Sequence, residues 1–132
     1  MNHPVFGEIT FNHGWDGKAT ITLWGRQYNI VYTAAAYFKK DGITAEQERA
    51  FTAFQSDKVA RLAQVETLLQ RYISGADPKE PTSGRARLTP RSLLFERDGG
   101  YALLLDDADN PDNGLAVRLH PDERVMTQDE YL

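Results

Sequence analysis

Residues 44–74 carry a helical pattern between two segments patterned as strands, and this order constrains the fold more than any other feature of the chain. Thr44 and Gln47 have the spacing of a capping box, and Glu46 and Glu48 suit the positive end of a helix. Phe51, Phe54, Leu62, Val65, Leu69, Tyr72 and Ile73 then recur at mostly three- and four-residue steps, the pattern of a helix laid with one face on a sheet. Ser56-Asp57 interrupts it, so the segment reads either as one long helix or as two shorter ones joined near Ser56. Ser74-Gly75 and Pro78 end it.

Before the helix, apolar and polar residues alternate. Phe6, Ile9 and Phe11 form a first run, Asn12 to Gly17 a break, and Ala19, Ile21 and Leu23, alternating with Thr20, Thr22 and Trp24, a second run. Gly25-Arg26 reads as a tight turn into a third run, Tyr28 to Thr33, so a three-strand antiparallel meander is expected. Beyond the helix, residues 75–90 form a long polar connection. Leu93-Leu94-Phe95 and Tyr101 to Leu105 flank Arg97-Asp98-Gly99-Gly100, the strongest hairpin signal in the chain. Leu115, Val117 and Leu119 alternate in a further strand, His120-Pro121 ends it, and Arg124-Val125-Met126 suggests one more.

Too few residues follow the 75–90 connection to build a second core, so the later strands are expected to join the first sheet. The expectation is a single α+β domain over residues 1–132, with a largely antiparallel sheet packed against the helical segment. With 2 Trp, 6 Tyr and 6 Phe, such a chain can fill its core without staples.

Charge and composition narrow the function classes. The 132 residues contain 0 Cys, which removes disulfides, thiolate catalysis and metal–thiolate sites and fits a reducing compartment. Met1 to Val5 lacks a basic start and no apolar stretch is long enough for a membrane span, so a cytoplasmic protein without membrane contact is expected. Residues 1–100 hold 13 Lys+Arg against 11 Asp+Glu, while residues 101–132 hold 2 against 8, a split of +2 and -6 in the net charge of -4. An acidic C-terminal quarter argues against direct binding to a nucleic-acid backbone and toward cationic partners.

The densest local chemistry is the run Asp106 to Gly114, which holds Asp106, Asp107, Asp109 and Asp112. Laid on a calcium-binding loop with Asp107 first, it has Pro111 at the fifth position, Asp112 where the turn glycine belongs and Arg118 at the twelfth, so the metal motif fails. The simpler reading is a solvated turn of Asp and Asn side chains bonded to their own backbone. The functional reading is an acidic surface for a basic partner. His3, His13 and His120 form no metal or triad pattern and read as surface or structural residues. No nucleophile elbow, P-loop or dinucleotide fingerprint is present. Trp15 and Trp24 read first as packing residues, although exposed tryptophans can anchor a partner. Lys79, Arg85, Arg87 and Arg91 make a modest basic patch whose simplest reading is a solvated loop.

The order of these features, with Trp15-Asp16-Gly17, Leu88 to Phe95, Asn113-Gly114-Leu115-Ala116-Val117 and the ending Gln128-Asp129-Glu130-Tyr131-Leu132, resembles a family of small bacterial proteins classed as domains of unknown function. Some similar proteins are encoded beside polymorphic or contact-dependent toxins and are regarded as candidate immunity proteins. The resemblance implies a bacterial protein that neutralises a toxin, and it carries no catalytic residues or cofactor. Joined to the charge pattern, it gives a non-enzymatic protein that binds a basic toxin surface through Asp106, Asp107, Asp109, Asp112, Asp129, Glu130 and Tyr131. Two other readings stay open. One is a small hydrolase or ligand-binding domain, which requires a cleft joining His13 or His120 to two or more of these acids. The other is an adaptor that forms a homodimer through a sheet edge.

Overall fold

The computed structural model describes residues 2–12, 14–76, 88–108 and 111–132. Its main element is a seven-stranded mixed sheet in the sequential order β3-β4-β5-β6-β7-β8-β9. The strands are β3 (Thr10–Phe11), β4 (Gly14–Leu23), β5 (Arg26–Ala35), β6 (Leu88–Phe95), β7 (Tyr101–Asp107), β8 (Leu115–His120) and β9 (Arg124–Thr127). β1 (Asn2–His3) and β2 (Gly7–Glu8) form a separate two-stranded antiparallel sheet. All neighbours in the large sheet are antiparallel except β5 and β6, which run parallel. The connection between these two carries the helices α1 (Ala45–Ser56) and α2 (Lys58–Ala76), as a parallel pair requires.

The α+β expectation therefore holds, and the later strands join the first sheet. The choice between one helix and two resolves at Asp57, which is the C-cap of α1. The capping box at Thr44 forms as its spacing predicts: Gln47 N donates to Thr44 Oγ1 at 3.1 Å and Thr44 N to Gln47 Oε1 at 2.9 Å.

Three local readings are corrected. The first run is not one strand: Phe6 and Ile9 are buried outside the strands, because Gly7, at φ +78°, turns the chain between β1 and β3. The supposed break at Trp15-Asp16-Gly17 is the start of β4, where Gly17 takes Tyr32 directly opposite it and a Cβ would lie 2.5 Å from the Tyr32 hydroxyl. The β4–β5 turn is Trp24-Gly25, one residue earlier than expected. Both residues have positive φ, +52° and +73°, as a two-residue turn that follows the sheet's twist demands. A non-glycine residue in that region is uncommon, and Glu66 of α2 accepts the Trp24 backbone N–H.

α1 and α2 pack on one face of the sheet. Phe51, Phe54, Leu62, Val65 and Leu69 meet Ile21, Ile30, Leu93, Phe95, Leu103 and Val117 in one buried cluster. Its centre is aromatic: Phe6 and Phe51 ring centroids lie 4.3 Å apart, Tyr32 and Phe51 5.0 Å, and Phe95 stacks on Tyr101 at 5.1 Å. Trp15, at 4% exposure, belongs to this core, whereas Trp24 packs against it only in part. The C-terminal helical turn α3 (Gln128–Tyr131) packs against β8 and β9, where Ala116 and Met126 are buried in alternation with the core-facing Val117 and Val125. No described helix is long and apolar enough to cross a membrane.

One buried polar residue ties the parallel pair to the helix. Gln47 is fully buried, and its Nε2 donates to Ala35 O at 2.9 Å and to Phe95 O at 3.1 Å, at the ends of β5 and β6. Gln47→Leu keeps the bulk but leaves backbone groups without this partner. It is expected to lower unfolding free energy by about 2–4 kcal/mol, measured by urea denaturation with an unchanged m-value.

Candidate functional site

The described acids singled out by sequence, Asp106, Asp107, Asp112, Asp129 and Glu130, belong to two segments that meet at one end of the large sheet, through contacts that begin with glycine. The strand register sets Leu105 beside Leu115 and Leu115 beside Thr127, so the β7–β8 connection and the start of α3 are neighbours. Gln128 fastens them: its Nε2 donates to Leu105 O at 2.8 Å and to Leu115 O at 3.3 Å. Gly114, at φ +64°, makes room for this amide, since a Cβ there would lie 2.5 Å from Leu105 O and 2.6 Å from Gln128 Nε2. Thr127 then caps α3, with Glu130 N donating to Thr127 Oγ1 at 3.2 Å. The acids of the connection and those of the C-terminal turn thus flank the same strand ends.

Each residue has its own place there. Asp106 is exposed and pairs with Arg91 of β6 at 2.5 Å, an exposed ion pair of small net value. Asp112 and Asp129 are exposed and have no ion-pair partner among the described residues. Glu130 is exposed and closes the capping box by accepting from Thr127 N at 3.3 Å. Asp107 is corrected: at 2% exposure it faces inward at the end of β7 and is not available to a partner. Tyr131 is also redirected, because its half-buried side chain lies in a separate cleft. Asp109 and His13 lie outside the described residues, as do Lys79, Arg85 and Arg87.

That cleft, about 460 Å³, is the other candidate site. Glu96 and Asp98 from the β6–β7 hairpin, Arg118 and His120 from β8, and Tyr131 from α3 line it. The Tyr131 hydroxyl donates to the Glu96 carboxylate. Burial, the nearby Glu96 and Asp98 charges and this bond push the Tyr131 hydroxyl far above its ordinary range, so it remains a donor. Burial and repulsion from Asp98 raise the Glu96 carboxyl, with the Tyr131 bond acting in the opposite direction. Arg118 is engaged nearby: its Nη2 lies 2.7 Å from Asp122 Oδ1 and its Nε donates to Asp122 O at 3.2 Å.

His120 therefore does meet two carboxylates in a concavity, but they are Glu96 and Asp98 rather than the acids of the β7–β8 connection. Sequence reading passed over these two because they sit beside Gly99-Gly100 and look like ordinary turn residues. His3 has a structural place. Its Nδ1 accepts Val5 N at 3.0 Å and Phe6 N at 3.1 Å, and its Nε2 lies 3.3 Å from Glu48 Oε1. Among the described residues no three His, Asp or Glu side chains converge to hold a metal ion.

The Glu96 environment gives a pH dependence. A carboxyl raised in the folded state binds its proton more tightly there than in the unfolded chain, so folding loses stability as pH rises through the window just above the ordinary carboxylate value. Glu96→Gln removes that loss and keeps an acceptor for Tyr131. The variant is expected to melt above wild type at about pH 7 and together with it at about pH 3, where both side chains are neutral. Thermal melts followed by circular dichroism check this; a gap of equal size at both pH values contradicts the assignment.

Comparison with known proteins finds no matching family model, no matching curated protein and no matching solved structure.

Proposed function

We propose that this protein neutralises a cognate bacterial toxin by direct binding, docking the acidic end of its sheet on a basic surface of that toxin. The observation that carries this reading is the Gln128 amide bridge, which brings two acidic segments distant in sequence to one edge of the fold. Asp106, Asp112, Asp129 and Glu130 are the described partner-facing residues. Their exposed carboxylates supply charge complementarity, which speeds encounter and selects partners more than it adds affinity. The choice of a toxin as the partner rests on the sequence resemblance alone. Asp109 remains part of the proposed surface by sequence alone.

A second reading has one observation in its favour. The cleft at His120 gathers a histidine, two carboxylates and a tyrosine hydroxyl, an assembly that a small ligand-binding or hydrolytic site uses. The hydroxyl is committed to Glu96, and the exposed histidine ring stacks on Tyr101 at a centroid distance of 6.4 Å. Toxin binding through the acidic end is therefore preferred.

The test uses the product of the reading frame immediately upstream in the native locus. Co-expression of this protein is expected to restore growth to a host carrying that frame. The triple substitution Asp106→Asn, Asp112→Asn and Asp129→Asn is expected to weaken the complex on the order of tenfold or more at low salt and to flatten its salt dependence, with the melting temperature preserved. Titration calorimetry at two ionic strengths measures both effects. An upstream product that is harmless, or that still kills in the presence of the folded protein, rejects neutralisation of that neighbour; undiminished affinity of the triple variant rejects the acidic surface.

A further inference from the structure

Opposite the acidic end, the chain displays two large aromatics on a tightly held segment. Tyr37 and Phe38, between β5 and α1, are 88% and 63% exposed. The backbone of Phe38 and of the residues flanking the pair is fixed from several sides. Phe38 N donates to Asp41 Oδ2 and Asp41 N to Phe38 O, both at 3.0 Å. Arg97 reaches across from the β6–β7 hairpin and donates to Ala35 O at 3.2 Å, Gly42 O at 2.7 Å and Asp41 O at 3.3 Å. Thr44 Oγ1 returns a bond to Arg97 O at 2.8 Å. Aromatic side chains held ready on an ordered backbone are the usual anchors of protein contacts, because little conformational entropy remains to be lost on binding.

The chemistry beside this tip defines what fits it. Lys39 and Lys40 are exposed and have no ion-pair partner among the described residues, and Lys40 Nζ lies 5.6 Å from the centre of the Phe38 ring. A matching surface needs an apolar socket edged by carboxylates. The chain carries such a surface on the same hairpin. Glu96 and Asp98, the residues on either side of Arg97, line the cleft of about 460 Å³ without a salt-bridge partner among the described residues, and Pro121, Tyr131 and Leu132 give it apolar walls; the one cation in its lining, Arg118, is already paired with Asp122, and His120 stacks on Tyr101. Leu132, at the rim, is 74% exposed.

We propose that this end of the molecule pairs with a second copy of the chain, the Tyr37–Phe38 tip and its two lysines entering the Glu96–Asp98 cleft of the other copy, and reciprocally. Tip and socket lie at one end of the sheet, with Arg97 between them, so a two-fold axis makes both contacts at once and closes the assembly at a dimer. A bilayer or an unrelated protein would satisfy the tip alone. A second copy gives the tip a socket and gives the two acids, which hold hydrogen bonds to Tyr131 and Gly100 N but no cation, a counter-charge. The inference does not rest on toxin neutralisation: Asp106 and Asp112 lie at the other end of the strands, and only Asp129 and Glu130, in the same helical turn as Tyr131, border this cleft.

Sedimentation velocity on the full chain tests it. The weight-average mass is expected to climb from 14.9 kDa toward twice that value as concentration rises to about 100 µM, the range of an interface below standard size. Tyr37→Ser with Phe38→Ser is expected to weaken the dimer about tenfold or more, with near-ultraviolet circular dichroism unchanged because both side chains are exposed. Lys39→Glu with Lys40→Glu, and separately Asp98→Lys, are each expected to give monomers. An equimolar mixture of these two variants is expected to dimerise again, since one contact then has both charges reversed and the other is wild type. A wild-type chain that stays monomeric at every concentration overturns the proposal. So does a dimer that survives the double serine substitution, or a mixture that stays monomeric.

Discussion

The amide of Gln47 and the parallel pairing of β5 with β6 depend on each other, and the rest of the molecule is arranged around them. Parallel neighbours need a crossover, and here the crossover is a pair of helices whose first turn must start close to the strand ends it has just left. Gln47 meets that need from inside α1: one side chain closes the helix cap on Thr44 and bonds the last carbonyls of both strands. Its burial is tolerable because donor and acceptor are both used. The same strand ends carry the Arg97 contacts, so the exposed aromatic tip and the acidic cleft inherit their positions from this junction.

The fold was legible in the chain wherever a periodic pattern met a specific end signal. Thr44 and Gln47 announce α1, and Gly99-Gly100 announces the β6–β7 hairpin, so both elements fall where the pattern places them. The first strands were less legible for a physical reason. Phe6 and Ile9 are buried like strand residues, yet Phe6 occupies a turn that Gly7 follows at positive φ and that the Tyr32 hydroxyl holds through Phe6 O, a non-local bond, and Ile9 is the single residue between two short strands. Trp24 misled because a bulky residue at positive φ is held by α2 rather than by its own preference.

The candidate sites divide in the same way. Exposed acids in a connection between strands can be read as exposed from sequence, and Asp106 and Asp112 are. Asp107 is not, because the period of two along β7 turns alternate residues inward and the strand runs two residues further than its apolar run suggests. The cleft was hidden because its walls come from a hairpin, a strand and the last helical turn, and only the folded register brings Glu96 to Tyr131. The acidic end was half legible: both acidic segments are plain in the sequence, but the Gln128 bridge between them is a product of register.

The placement of α2 has one further consequence. β3 covers only Trp15 and Asp16 of the ten-residue β4, so most of β4 is an outer strand of the sheet. Lys58 Nζ donates to Thr20 O at 2.8 Å, so α2 occupies a backbone acceptor in the middle of that edge which another chain's strand would otherwise use, and Glu66 takes the Trp24 N–H of the turn just beyond it. The helix is in this sense a guard against cross-β assembly. Detaching α2 would bare both the apolar core and a long pairing edge, so aggregation of this protein should begin with partial opening at the helix rather than with complete unfolding.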